Sequence, residues 1–183
     1  MQGEKISRPE AIRRLVEIGA EGESPMTIEE RRSTAIHEAG HVVVAWALGL
    51  PMGSMQIGCH GNDTAGRSEI DESARQLSLI DRIALCIAGM EAQLLFGCES
   101  THLHAGSSDF GKIIEMLDDL TEGDADTIRS KGYDRAAELL VCRRPLIERI
   151  AEQLAISGKL EQGEVLALLQ EAEQQSDMTS GHR

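Results

Sequence analysis

Aromatic side chains are almost missing from this chain: one Trp, one Tyr and two Phe in 183 residues. Its core must then be built from Leu, Ile, Val, Ala and Met. Positive charge is also short, with 18 Lys and Arg against 31 Asp and Glu and a formal net charge of −13. Such an excess repels phosphate backbones and argues against a nucleic-acid partner. The four cysteines, Cys59, Cys86, Cys98 and Cys142, are widely spaced and form no C-x-x-C pair. They read as small buried hydrophobes in a reducing compartment. No apolar run approaches the ~18 residues of a membrane span. Met1-Gln2-Gly3-Glu4-Lys5 opens no apolar signal core. The expectation is a soluble, cytoplasmic protein with no membrane partner. The length suits one domain with a small appendage.

What is present is concentrated in Ser33 to Ala45. His37-Glu38-Ala39-Gly40-His41 is an H-E-x-x-H pattern. Helical spacing puts His37 and His41 one turn apart on one face. Two imidazoles so placed can reach one Zn²⁺, and Glu38 can reach a water on that metal. Val42, Val43, Val44, Ala45, Trp46, Ala47 and Leu48 follow, so the helix is buried. Ionisable groups opening such a helix are costly unless paired or metal-bound. A lone buried histidine usually just hydrogen-bonds a neighbour; the full pattern on a core helix favours a metal.

Along the chain, Ser7-Arg8-Pro9-Glu10 has capping-box spacing. Ala11, Leu15, Val16 and Ile18 then mark a short amphipathic helix, followed by a linker to residue 24. Thr27-Ile28-Glu29-Glu30 repeats the capping box and opens the metal helix, which ends at Gly49. Met55, Ile57 and Cys59 alternate with polar or small residues as a half-buried strand, and Ala65 to Ile70 returns beside it. Ser73 to Phe96 reads as one long helix stopped by Gly97. Cys98 to Ser107 reads as a loop, and Ser108 caps a helix beginning at Asp109. Acidic, glycine-punctuated residues from Asp118 to Gly132 read as a helix end and an exposed loop. Helices are expected over Tyr133–Val141, Leu146–Ala155 and Gly163–Ala172, with a flexible tail at 173–183. The fold class is mainly α within α+β, with a two-stranded element and a C-terminal helical bundle. Residues 25–172 form the main domain.

A catalytic zinc usually takes three protein ligands and keeps one position for water. A third histidine six residues after His41 is ruled out, because Ala47 stands there. Glu91, within the apolar stripe of the next long helix, and Asp109, at an expected helix start, are the candidates. A carboxylate in a first helical turn is held ionised by the backbone N–H groups. Spacing alone does not choose between them. Gly106-Ser107-Ser108-Asp109-Phe110-Gly111-Lys112 fits most of a phosphate-binding loop. Ile113 occupies the magnesium-binding Ser or Thr position and no apolar strand precedes it, so nucleotide binding is rejected.

Over residues 25 to 172 the chain resembles the peptidase domain of FtsH-type ATP-dependent zinc metalloproteases. His37-Glu38-Ala39-Gly40-His41 matches that family's HEAGH. Leu79-Ile80-Asp81-Arg82-Ile83-Ala84 with Ala88-Gly89 is similar to its long helix ending in a GGRAAE-like segment. Ala105-Gly106-Ser107-Ser108-Asp109-Phe110 resembles its GASNDF-type segment. The resemblance implies a helical zincin-like fold, Zn²⁺ held by His37, His41 and Asp109, and Glu38 as general base. The chain departs where the family's Arg and Glu fall near Met90 and Gln93. Gln93 or Glu91 is left to support the ligands. The ATPase module and membrane helices of that family are absent here.

The expected function is zinc-dependent endopeptidase action on unfolded or flexible polypeptides. The strand carrying Met55 and Ile57 is expected to offer the edge on which substrate pairs. A catalytically silent zinc-binding adaptor descended from such a peptidase is the alternative. For assembly, a homo-oligomer and a separate ATPase chain are both open.

Overall fold

The computed structural model describes residues 26–60, 63–98 and 103–180. The expected helix from Ala11 to Ile18 and its linker lie outside the described residues.

The expected metal helix, α1 (Ile28–Ala47), starts as its sequence requires. Thr27 Oγ1 accepts the Glu30 amide at 3.1 Å, and the Glu30 carboxylate accepts the Thr27 amide at 2.8 Å. Val42, Val43 and Val44 are all buried. Each contributes about 1.5–3 kcal/mol by leaving water. Helix α1 is buried on most sides because elements surround it. It packs on α2 (Leu79–Leu95), on α5 (Arg144–Ser157) and across the sheet. Gly40 sets the approach to α2. A Cβ there would sit 2.6 Å from both the Ala88 carbonyl oxygen and Ala92 Cβ, so any side chain would push the helices apart.

Strands β1 (Met52–His60) and β2 (Asp63–Ile70) form the expected antiparallel hairpin. A third strand, β3 (Lys159–Leu160), pairs antiparallel on the other side of β1, and the order is β2-β1-β3. The expected two-stranded element is therefore three-stranded, and Met55 and Ile57 do not lie on a free edge. Met55 pairs with Ser68 on one side and Leu160 on the other. The Ile57 amide donates to the Gly158 carbonyl at 2.9 Å. Gly158 ends α5 in the left-handed conformation, at φ 77°, and turns the chain back along β1. Two residues carry too little pattern to announce a strand.

The other elements shift at their ends for local reasons. Asp71 caps a 3₁₀ turn (Glu72–Ala74), and Ser78 Oγ accepts the Asp81 amide at 3.1 Å to open α2. The expected long helix is thus a short turn followed by α2. Helix α3 (Leu103–Leu117) begins before Asp109, so Asp109 sits inside a helix rather than in its first turn. The near phosphate loop, Gly106 to Lys112, is helical. Helix α4 (Glu122–Val141) runs through the expected acidic loop. Thr121 caps it, and Gly132 serves a close contact rather than a break. A Cβ on Gly132 would meet Ile83 Cβ at 2.7 Å. Pro145 lies in the first turn of α5, where its fixed φ and missing N–H cost nothing. Helix α6 (Gln162–Ser180) continues well past Ala172.

The main core joins α1, β1, α5 and α6, and smaller clusters gather around Ile83 and Ile87. Of the cysteines whose surroundings are described, Cys86 is buried, Cys98 half-buried and Cys142 exposed. The reading of all four as buried hydrophobes is thus corrected for Cys142. It ends α4, where its Sγ faces the Glu138 carbonyl. Among the described residues, no helix is long and apolar enough to cross a membrane.

Candidate metal centre

His37 and His41 project from one face of α1, as the i, i+4 spacing requires. Asp109 reaches them from α3. One ligand atom from each of the three lies within 4.8 Å of the others. The imidazole Nε2 atoms are 3.1 Å apart. Asp109 Oδ2 is 3.7 Å from His41 Nε2 and 4.0 Å from His37 Nε2.

Hydrogen bonds around the rings assign their protons. His41 Nδ1 is 2.9 Å from the Leu85 carbonyl oxygen, which only accepts, so Nδ1 carries the hydrogen. His37 Nδ1 is 3.2 Å from Gln93 Oε1. The Gln93 amide orientation is set at its other end, where Nε2 donates to Ser33 Oγ at 2.9 Å and to the Ser33 carbonyl at 3.3 Å. Gln93 Oε1 therefore accepts from His37 Nδ1–H. Both Nε2 atoms then present lone pairs towards each other and towards the Asp109 carboxylate. Three acceptors converging in a largely buried place could hold a cation between them. Donors 2.0–2.1 Å from a tetrahedral ion sit about 3.3 Å apart, so a small inward movement of Asp109 closes the set. Two imidazoles and a carboxylate suit a borderline transition-metal ion better than calcium or magnesium.

Burial tunes the titrating groups. His41 is pushed down to about 3, first by burial and then by the neighbouring His37. It is therefore neutral and ready to ligate at physiological pH. Burial also raises the Asp109 carboxyl, against the pull of Lys112, whose Nζ is 3.8 Å from Asp109 Oδ1. The expected helix-terminus stabilisation does not apply, since Asp109 lies beyond the first turn of α3.

Glu38 is buried, with 6 % of its surface exposed, and is not one of the three clustered groups. Ser68 Oγ on β2 donates to Glu38 Oε2 at 2.5 Å. Burial pushes the Glu38 carboxyl up to about 7, while the Ser68 hydrogen bond pulls the other way. A carboxyl poised near neutrality can take up a proton and return it. Two glycines make room for these side chains. A Cβ on Gly89 would meet the His37 ring at 2.5 Å, and one on Gly66 would strike the Glu38 carboxylate.

The cluster opens into a cavity of about 340 Å³ lined by His37, Glu38, His41, Arg67, Asp109 and Lys112, among others. Glu91 is half-buried on α2, outside both the cluster and that lining, and burial raises its carboxyl. Ser68 and Lys112 were missed from the sequence. Ser68 is distant in the chain from Glu38 and carries no local signal. Lys112 was legible, because i, i+3 spacing from Asp109 on a helix makes the pair.

Gln93→Leu is expected to keep the fold and lower metal affinity about 10–100-fold, because it removes the acceptor that orients His37. Competition against a chromophoric chelator measures this. An unchanged affinity would remove Gln93 from the site. No protein-family model matches this chain, and no curated protein matches it.

Proposed function

We propose that this chain is a zinc-dependent endopeptidase of the kind its HEAGH and GSSDF segments resemble. Zn²⁺ is held by His37, His41 and Asp109. The observation that carries the reading is Glu38. It is a buried carboxyl next to the ligands on α1, it faces the same cavity, and it is tuned near neutrality. A purely structural metal site has no use for such a group. When bound, the metal supplies Lewis acidity, which acidifies water and polarises a carbonyl.

Glu38 takes a proton from the water attacking the peptide carbonyl carbon. As the C–N bond breaks, Glu38 passes that proton to the leaving amine nitrogen. Ser68 holds the carboxylate in place. With β1 covered on both sides, β2 is the outer strand beside the cavity, and Gly66, Arg67 and Ser68 line it. An extended polypeptide pairs along that strand, replacing the role expected of Met55 and Ile57. A folded substrate hides its backbone groups in its own hydrogen bonds, so the substrates are flexible chains.

The test incubates the zinc-loaded full chain with an unfolded polypeptide and with a stably folded domain, with and without ATP. Slow cleavage of the unfolded chain alone, unaffected by ATP, is expected. Cleavage of the folded domain, or acceleration by ATP, would contradict this reading. Full zinc binding with no cleavage of any open chain favours the adaptor. A separate ATPase recovered with the protein from native cells would identify an ATPase partner.

A further inference from the structure

The cavity at the metal cluster carries two cations that the proposed proton transfer does not use, Arg67 on β2 and Lys112 on α3. They stand out in a chain with a net charge of −13. Lys112 has a partner, since its Nζ lies 3.8 Å from Asp109 Oδ1. Arg67 is exposed and forms no ion pair among the described residues. Glu69, two residues on, directs its carboxylate to the Ser54 amide at 3.1 Å. Of the acids on the lining, Asp109 and Glu38 belong to the proposed chemistry. Glu72 is shared with a neighbouring cavity that also holds Arg75 and Arg82. With a divalent metal bound, positive charge exceeds negative in this cavity even when Glu38 is ionised.

Arg67 is placed where a chain paired along β2 meets it. Gly66 and Ser68, its neighbours in the strand, both approach the Glu38 carboxylate. Side chains alternate along a strand, so Arg67 emerges from the opposite face and reaches the cavity at its rim. On β1 its partner is Gln56, which leaves the other side of β2 for an incoming strand. Residues directly opposite each other in a ladder have Cβ atoms about 4.5–5.5 Å apart on one face. A substrate residue opposite Arg67 is therefore one residue away from those that lie over Glu38. An Asp or Glu there lays its carboxylate on the guanidinium, whose planar fork matches it with two hydrogen bonds.

We infer that Arg67 makes this site select polypeptides with an acidic side chain, Asp or Glu, beside the bond to be cut. The inference deepens the peptidase reading and rests on it for the cleavage itself. Lys112 adds positive charge from α3, because a metal on Asp109 shares the carboxylate that otherwise neutralises the ammonium. A basic side chain at the same place meets like charge and is rejected.

Peptides blocked at both ends, and identical but for a Glu, Gln or Lys next to the cleaved bond, test it on the zinc-loaded full chain. The Glu peptide should have a kcat/KM about tenfold above that of the Gln peptide, with Lys lowest. Arg67→Ala should bring the Glu-to-Gln ratio to about one, and Arg67→Glu should reverse the order in favour of Lys. Ratios are read within each variant, so a general loss of activity does not enter them. Lys112 stays unchanged because it also contacts Asp109. Anisotropy of the same peptides, labelled, on zinc-loaded Glu38→Gln protein should show the same preference without cleavage. Equal cleavage of all three peptides by the wild type overturns the inference and leaves the peptidase reading intact. A Glu preference that survives Arg67→Glu also overturns it. No cleavage of any peptide, with the binding preference present and reversed by Arg67→Glu, sinks the peptidase reading and leaves the acidic selection standing. Cleavage confined to a peptide whose single carboxylate is its free C-terminus assigns the cavity to a chain end and overturns the side-chain inference.

Discussion

Glu38→Gln is expected to keep the fold and the metal and to lose hydrolysis of an unfolded substrate by about 10²–10⁴-fold. The amide has the same shape as the carboxyl, so it fits the space that Gly66 leaves open. Its oxygen still accepts the Ser68 hydroxyl, so the loop of contacts from α1 to β2 survives. It cannot take a proton from water. Stability should hold or rise slightly, because the change removes a buried ionisable group. Turnover, metal content and Tm, measured on one preparation, separate these effects. Unchanged turnover would remove Glu38 from the chemistry. Lost metal would make Glu38 a ligand rather than a base.

The second large effect concerns the ligands. Purified wild-type protein should carry about one Zn²⁺ per chain. With free zinc at a hundred times its Kd, binding should raise stability by about 2.7 kcal/mol. His37→Ala, His41→Ala and Asp109→Ala should each forfeit most of that gain, and Glu91→Ala should retain it. His41 contributes because burial keeps its ring neutral, so little proton competition opposes the metal. Thermal melts with zinc and with chelator give the difference directly. If Asp109→Ala keeps the zinc-dependent shift and Glu91→Ala loses it, the third ligand is Glu91. The two carboxylates sit on different helices, so their variants act independently.

Much of the site's first half was legible because it is local. His37, Glu38 and His41 lie within one turn and a residue, and helical periodicity alone brings them to a common face. The cap at Thr27 is likewise local, since a side-chain oxygen reaches an amide three residues on. The valine run after His41 fixes the depth of α1 in the core through composition.

The remainder depends on which elements meet. Asp109 comes to the histidines because α3 packs against α2, and spacing left it level with Glu91. Gln93 orients His37 because Gly40 and Gly89 let α1 and α2 close on each other. Gly132 looked like a helix breaker, yet it admits Ile83, and packing outweighs the roughly 1 kcal/mol that a mid-helix glycine costs. Alternation found β1 but could not say which of its edges is free, since pairing depends on what the chain does a hundred residues later. Gly158 turns it back as β3, which covers β1 and leaves β2 as an outer strand beside the cavity of His37, His41 and Asp109. Periodicity measures a segment against its own neighbours; the approach of Asp109 to the histidines, the partner of His37 and the order of the strands were all decided by contacts between segments.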